Sequence, residues 1–255
     1  MARLPNFFVA GAARSGTTSM WKYLQQHPDI YMPQDVAHKE PSYFCNTYGY
    51  SDYHAYLQLF DEAGERKMTG EASGTYLSSP ESPGLIKKSI PEAKFIIMLR
   101  NPVDRAYSLY KWMHHNKYEQ IRTFEEALYE EQNSRLNNKD FQLNNRQYYY
   151  NYLYFNSGLY YEQVKRYLRI FGREQVHIII FEEFKQEILR TIYNTYIFLN
   201  VDPHYPFHID VHNEGPSGYS KLSDSTRKNL EETYLEDISK LSGLIQKPLL
   251  TIWFS

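Results

Sequence analysis

Residues Gly11-Ala12-Ala13-Arg14-Ser15-Gly16-Thr17-Thr18 carry the first recognisable chemistry in this chain. An apolar run, Phe7-Phe8-Val9-Ala10, leads into them, and Ser19-Met20-Trp21-Lys22-Tyr23-Leu24 follows with helical character. Glycines at this spacing, set between a strand and a helix, match a phosphate-binding loop. Glycine lets the backbone turn tightly and approach an anion, and the N–H groups of a helix start point at it. Thr17 stands where a lysine usually follows the second glycine, and the nearest cation is Arg14, inside the loop. In ATP and GTP hydrolysis that lysine sits on the β/γ-phosphates, so the loop is expected to hold a phosphate-like group in some other reaction. The plain alternative is a strand-to-helix turn rich in small residues.

A second anion site is expected at Phe95-Ile96-Ile97-Met98-Leu99-Arg100-Asn101-Pro102, followed by Val103-Asp104-Arg105-Ala106-Tyr107-Ser108. Arg100 falls at the carboxyl end of a predicted strand, where open α/β sheets bind ligands. Ser108 lies two turns along the next helix. An arginine suits bidentate phosphate contacts, and a hydroxyl adds one hydrogen bond. Taken alone, Arg100 serves equally to pair with a carboxylate such as Asp104; the two sites together make the reading specific.

These residues need a scaffold. Short apolar runs at Phe7–Ala10, Phe95–Leu99 and Val176–Phe181 predict buried parallel strands, with a weaker fourth at Lys67–Glu71. Helices are predicted at about 17–26, 53–60, 83–89, 103–116, 123–133, 160–171, 183–199 and 223–241. The alternation predicts an α/β, P-loop-like three-layer fold with a central parallel sheet flanked by helices. At 255 residues, a single domain over 1–255 is expected. The Asn- and Tyr-rich stretch 133–156 reads as irregular, as does 203–223.

A formal net charge of −2 gives no global bias towards nucleic acid. Lys165, Arg166, Arg169 and Arg173 form a local basic strip, best explained as a solvated helix face. Tyrosine is abundant at 25 residues, which suits amphipathic rings at partly buried positions. One cysteine, Cys45, excludes an internal disulfide and fits a reducing compartment. With no leader pattern and no apolar window long enough to span a bilayer, a cytoplasmic protein is expected.

Over most of its length the chain resembles the sulfotransferases that use 3′-phosphoadenosine 5′-phosphosulfate (PAPS). Ala13-Arg14-Ser15-Gly16-Thr17-Thr18-Ser19 resembles that family's 5′-phosphosulfate loop, and Leu99 to Ser108 its 3′-phosphate motif. His27-Pro28-Asp29-Ile30 and Lys39-Glu40-Pro41-Ser42-Tyr43-Phe44 are similar to bacterial members and to the heparan-sulfate branch. Ser157-Gly158-Leu159-Tyr160-Tyr161 resembles a segment near the adenine and 3′-phosphate, and Phe181-Glu182-Glu183-Phe184 follows as in many members. Gly215 to Lys221, including Ser217 and Gly218, lies where the family has a loop closing over the 3′-phosphate.

The resemblance implies a PAPS-dependent sulfotransferase that releases 3′-phosphoadenosine 5′-phosphate (PAP), needs no metal, and acts on a hydroxyl, or less readily an amine, of a carbohydrate or small molecule. It implies Glu40 as the base, Arg14 in catalysis and nucleotide binding, and Lys39 steering the sulfate or pairing with a carboxylate. His38 and Glu71 are reserve bases. It also implies nucleotide contacts from Ser15, Gly16, Thr17, Thr18, Ser19, Arg100, Ser108, Tyr160, Tyr161, Ser217 and Gly218. Two departures stand out: many members have lysine where this chain has Arg14, and heparan-type members carry a lysine close to the position of Ala72. The rival readings are a P-loop phosphotransferase dependent on Mg²⁺ and a catalytically silent nucleotide- or glycan-binding module.

Overall fold

This computed structural model describes residues 4–46, 48–209 and 218–254. In chain order the elements are β1 (Phe7–Gly11), α1 (Thr17–Leu24), β2 (Ile30–Tyr31), α2 (Tyr53–Gln58), β3 (Met68–Ala72), α3 (Thr75–Ser78), α4 (Ser82–Ser89) and β4 (Lys94–Leu99). Then come α5 (Pro102–His115), α6 (Phe124–Glu130), α7 (Lys139–Leu143), α8 (Tyr160–Phe171), β5 (Val176–Ile180), α9 (Phe181–Gln186), α10 (Ile188–Leu199), α11 (Asp224–Ile245) and α12 (Leu249–Phe254). The strands form one parallel sheet in the order β2-β3-β1-β4-β5. The expected α/β class, a central parallel sheet flanked by helices, is therefore present. The chain divides into two compact units: 1–99 with 166–213, and 100–165 with 214–255.

The first unit holds the whole sheet. β1 lies at its centre because both of its faces are apolar: Phe7, Phe8, Val9 and Ala10 are fully buried. Side chains alternate across the sheet. Phe7, Val9, Ile96 and Met98 join one core with Met20 and Leu24 of α1 and Ile192 and Tyr196 of α10. On the other face, Phe8 stacks on Phe95 at 5.4 Å between ring centres and meets Phe44 and Tyr76 edge-on. Burying side chains of this size contributes about 2–3 kcal/mol each.

The second unit carries most of the Tyr-rich segment. Glu119 and Arg135, both buried, pair at 2.7 Å, and the Tyr154 hydroxyl donates to Glu119 at 2.8 Å. Glu131 accepts from the backbone amides of Phe155 and Asn156 and from the Asn156 side chain, each at 2.7 Å. Arg105 of α5 donates to the Tyr154 carbonyl at 2.6 Å. Buried charge is tolerated here because each group finds oriented partners.

Several boundaries differ from expectation. The expected helix over 183–199 is two helices, α9 and α10, broken at Glu187, whose φ of −129° and ψ of 54° are not helical. Phe181, expected to end a strand, begins α9 instead. The stretch 133–156, expected to be irregular, contains a π-helical turn at Glu131–Arg135, then α7 and a 3-10 turn at Tyr149–Tyr152. Its helical character is hidden because buried polar partners, rather than apolar periodicity, hold it. The strand β2 and the helices α3 and α12 are too short to show a period.

Gly70 on β3 faces Phe7 on β1, and a Cβ there would fall 2.2 Å from a Phe7 ring carbon. Gly70→Ala is expected to destabilise the fold by about 1–3 kcal/mol through overpacking, measured as a lower urea midpoint.

Candidate active site

The loop after β1 is built from backbone. Gly11 has φ +133°, and a Cβ on it would lie 2.7 Å from the Gly74 carbonyl oxygen, so only glycine fits. The Ala12 amide donates to the Met98 carbonyl at 2.7 Å, anchoring the loop to β4. Arg14 has φ 67°, a costly conformation for a side-chain-bearing residue. Gly16, at φ 90°, caps α1 without any side-chain hydrogen bond. The first N–H groups of α1 therefore have no acceptor within the helix and no capping side chain from Gly16. Ser15 is buried, and its hydroxyl oxygen has no hydrogen-bond partner. A glycine cradle, uncapped amides, an unsatisfied hydroxyl and the adjacent Arg14 fit the sulfate and phosphate end of a nucleotide. Thr17 is buried, while Thr18 and Ser19 are half-buried on the first turn of α1.

A second strained residue faces this loop. Glu40 has φ 66°, and its amide donates to the Ala72 carbonyl at 3.0 Å. One carboxylate oxygen accepts the Gly74 amide at 2.6 Å, and the other pairs with the Lys39 ammonium. A Cβ on Gly74 would lie 3.6 Å from Ala13 Cα and 3.6 Å from that Glu40 oxygen. Gly74 thus bridges the anion loop and the Glu40 carboxylate, with both in van der Waals reach. The Glu40 side chain keeps 36% of its surface open, whereas Lys39 keeps 10%. The next turn is bolted down: the Ser42 amide donates to the Ser73 hydroxyl at 3.0 Å, and the Ser42 and Thr75 hydroxyls lie 2.8 Å apart.

Of the reserve bases, His38 is exposed on a 3-10 turn, and Glu71 is buried on β3. Burial pushes the Glu71 carboxyl up to about 8, with the nearby Glu40 charge adding to the rise. Ala72 lies buried on the same strand.

The second unit carries the other predicted residues. Asn101 caps α5 by accepting from the amides of Val103 and Asp104, with Pro102 at the first helical position. That cap starts the helix at Arg100's shoulder and sets Ser108 two turns along it, buried. Asp104 is engaged by Arg227 at 2.7 Å. The Tyr160 hydroxyl donates to the Arg100 carbonyl at 3.1 Å, and the Tyr161 amide donates to Asp237. Gly218, at φ +86°, is exposed; beyond it, the Tyr219 hydroxyl lies 3.0 Å from a ring nitrogen of His114, and Tyr107 donates to the Ser220 carbonyl. Ser108 thus lies on α5, and the residues just after Gly218 pack along it. Ser217 lies outside the described residues. In the basic strip, Arg166 is tied to the Ser79 carbonyl at 3.0 Å, while Arg169 and Arg173 are exposed.

The turn Ser73-Gly74-Thr75 escaped the sequence reading although it holds both the loop and Glu40. A glycine closing a run of small residues just after a strand was its available signal. A separate cavity of about 720 Å³ is lined by Tyr43, Phe44, Tyr48, Tyr50, Leu85 and Lys88 among others; neither Glu40 nor Arg14 is part of that lining.

The sulfotransferase domain family matches residues 4–242. A crystal structure of a sulfotransferase from Alicyclobacillus acidocaldarius is 34% identical, covers 99% of this chain and 100% of its own, and superposes with a TM-score of 0.84. A membrane-associated sulfotransferase of Dictyostelium discoideum is 34% identical over 50% of this chain. A bifunctional heparan sulfate N-deacetylase/N-sulfotransferase of Mus musculus is 26% identical over 80%. The chain spans only 28% and 23% of those two proteins. Mouse sulfotransferase SULT7A1 complexed with PAP shares the fold at 16% identity and a TM-score of 0.52, over 91% of this chain and 65% of its own.

A Cβ on Gly16 would sit 2.9 Å from the Phe181 ring, at a φ that side chains rarely adopt. Gly16→Ala is expected to weaken PAP binding by about fivefold or more, given ~1 kcal/mol or more of left-handed strain. Isothermal calorimetry on the folded variant reads this directly.

Proposed function

The chain belongs to the sulfotransferase domain family, and we propose that it transfers a sulfuryl group from PAPS to a hydroxyl of a carbohydrate or small molecule by in-line displacement. PAPS supplies the activated sulfuryl group. A sulfuryl group carries less charge than a terminal phosphoryl group, which is consistent with transfer without a metal and with Thr17 in place of a lysine.

The single observation that carries the reading is the Gly74 bridge, which sets a partly open carboxylate against an anion-binding loop. Arg14, Ser15, Gly16, Thr17, Thr18 and Ser19 bind the 5′-phosphosulfate end, and their donors stabilise charge building on the bridging oxygen. Glu40 takes the acceptor's proton as the O–S bond forms. Lys39, paired with Glu40, orients that carboxylate. On the family resemblance, Arg100, Ser108, Tyr160, Tyr161, Ser217 and Gly218 are assigned to the 3′-phosphate end. The family match runs through both compact units, which supports one functional domain over 1–255. The buried, unpaired Cys45 is consistent with a cytoplasmic setting. Among the described residues no helix is long and apolar enough to cross a membrane.

Calorimetric titration with PAP should give micromolar-range binding, and no heat at millimolar ligand would overturn the assignment. Glu40→Gln is expected to abolish transfer of radiolabelled sulfate to a panel of glycans, phenols and lipids while PAP affinity stays nearly intact; full transfer would move the base elsewhere. A Mg²⁺-dependent phosphotransferase predicts ATP binding instead, and the same titrations with ATP separate the two.

A further inference from the structure

Beneath the turn that carries Glu40 lies a second carboxyl with no established task. Glu71 sits on β3, one residue before Ala72, whose carbonyl accepts the Glu40 amide. Its neighbour across the sheet is Phe8. It is 1% exposed, and neither carboxyl oxygen has a hydrogen-bond partner of ordinary geometry. The groups facing it come from three elements: Tyr56 on α2, Tyr76 on α3 and Glu40 on the overlying turn. No cation is among them, and the nearby ammonium of Lys39 is paired with Glu40. Cys45 on the same turn lies close enough to Tyr76 to act on it. Burial pushes the tyrosine hydroxyls and the Cys45 thiol up, so none of them supplies a charge near neutral pH.

A carboxylate enclosed among Phe8, Tyr56 and Tyr76, with no cation beside it, is disfavoured because the cost of burial outweighs what the Tyr76 and Tyr56 hydroxyls give back. The protonated acid is not. These same tyrosines also hold the catalytic turn: Tyr76 accepts the Phe44 amide at 3.3 Å, and Tyr56 stacks on Tyr43 at 4.4 Å. Glu71 therefore lies at the junction of the two rings on which residues 40–45 rest.

We propose that Glu71 is a positioning residue for Glu40: holding its proton, it keeps the aromatic seat of the 40–45 turn neutral, and losing that proton unseats the turn and Glu40 with it. The proposal rests on Glu40 being the proton acceptor. The proton that Glu71 loses passes to solvent, and no bond to substrate forms.

The sign follows from linkage. The folded chain holds this proton to about pH 8, the unfolded chain only to its ordinary value of 4.5. Stability contributed by the buried acid is complete below the ordinary value, falls as pH rises through that window, and is gone above the folded value.

The test compares the wild type with Glu71→Gln, a neutral isostere. Between pH 7 and pH 9 the wild-type kcat is expected to fall about tenfold, following the protonated fraction of a group near pH 8, while kcat of the variant changes less than about twofold. Over about pH 5 to 8, the wild-type Tm is expected to fall relative to that of the variant. PAP affinity should be similar in both proteins at neutral pH. An unchanged alkaline limb in Glu71→Gln overturns the proposal. So does a variant that binds PAP yet transfers nothing at any pH, because Glu71 would then be a proton acceptor in its own right. If Glu71→Gln does not fold, difference infrared spectroscopy of the wild type decides: a carboxylic-acid band persisting at pH 7 supports the proposal, and its absence overturns it. A wild type that transfers to no acceptor at any pH fails at the level of the sulfotransferase reading, a result distinct from transfer with an unchanged limb.

Discussion

The Gly74 amide donates to the Glu40 carboxylate at 2.6 Å, and a Cβ on Gly74 would lie 3.6 Å from Ala13 of the loop after β1. A Cβ here would stand 3.6 Å from both neighbours, at ordinary contact distance, and a longer turn would move the carboxylate away from the loop. The turn is held in place from below: Ser73 donates its amide to the Val9 carbonyl, and its hydroxyl receives the Ser42 amide. Gly11 packs more closely, with no room for a Cβ beside the Gly74 carbonyl. The geometry of the candidate reaction centre is thus a matter of backbone approach, set by small residues at three positions far apart in sequence.

Strain concentrates at the candidate site. Arg14, Glu40 and Ser42 all take positive φ. Such conformations persist only where the surroundings over-determine them. Here the surroundings do: the loop is tied to β4 through Ala12, and the Glu40 turn is tied to β3 and α3 through four hydrogen bonds. Rigid positioning of both is what the proposed proton abstraction beside a developing anion requires.

Beneath this polar surface the sheet supplies a dry aromatic layer. Phe8, Phe44, Tyr56 and Tyr76 fill the face under the Glu40 turn, so a carboxyl placed among them is governed by desolvation more than by any partner. Two carboxyl groups separated by one strand residue and one turn thereby acquire different characters. Glu40 is partly open and paired with Lys39; Glu71 is enclosed, and burial pushes its carboxyl up to about 8. Burial is the largest cause of the raised Glu71 carboxyl, and the Glu40 charge adds to it.

Composition and spacing by themselves determined the class of fold, the anion loop, and most of the strands and helices, because apolar runs and glycine spacing are local signals. They also placed Arg100 at a strand end and Ser108 on the helix beyond it. Short elements such as β2 and α3 were not legible, since two to four residues show no period. Neither was the break at Glu187, where a helical pattern continues across a backbone kink, nor the helical content of 133–156, which buried Glu131 and Arg135 organise through hydrogen bonds. The surroundings of Glu40 and Glu71 were decided only by the tertiary structure. Parallel order puts β1 between β3 and β4, which carries Ala13, Glu40 and Gly74 to one place. Linear spacing does not encode that proximity, and exposure, which separates an open carboxylate from a buried acid, exists only once the chain has closed around it.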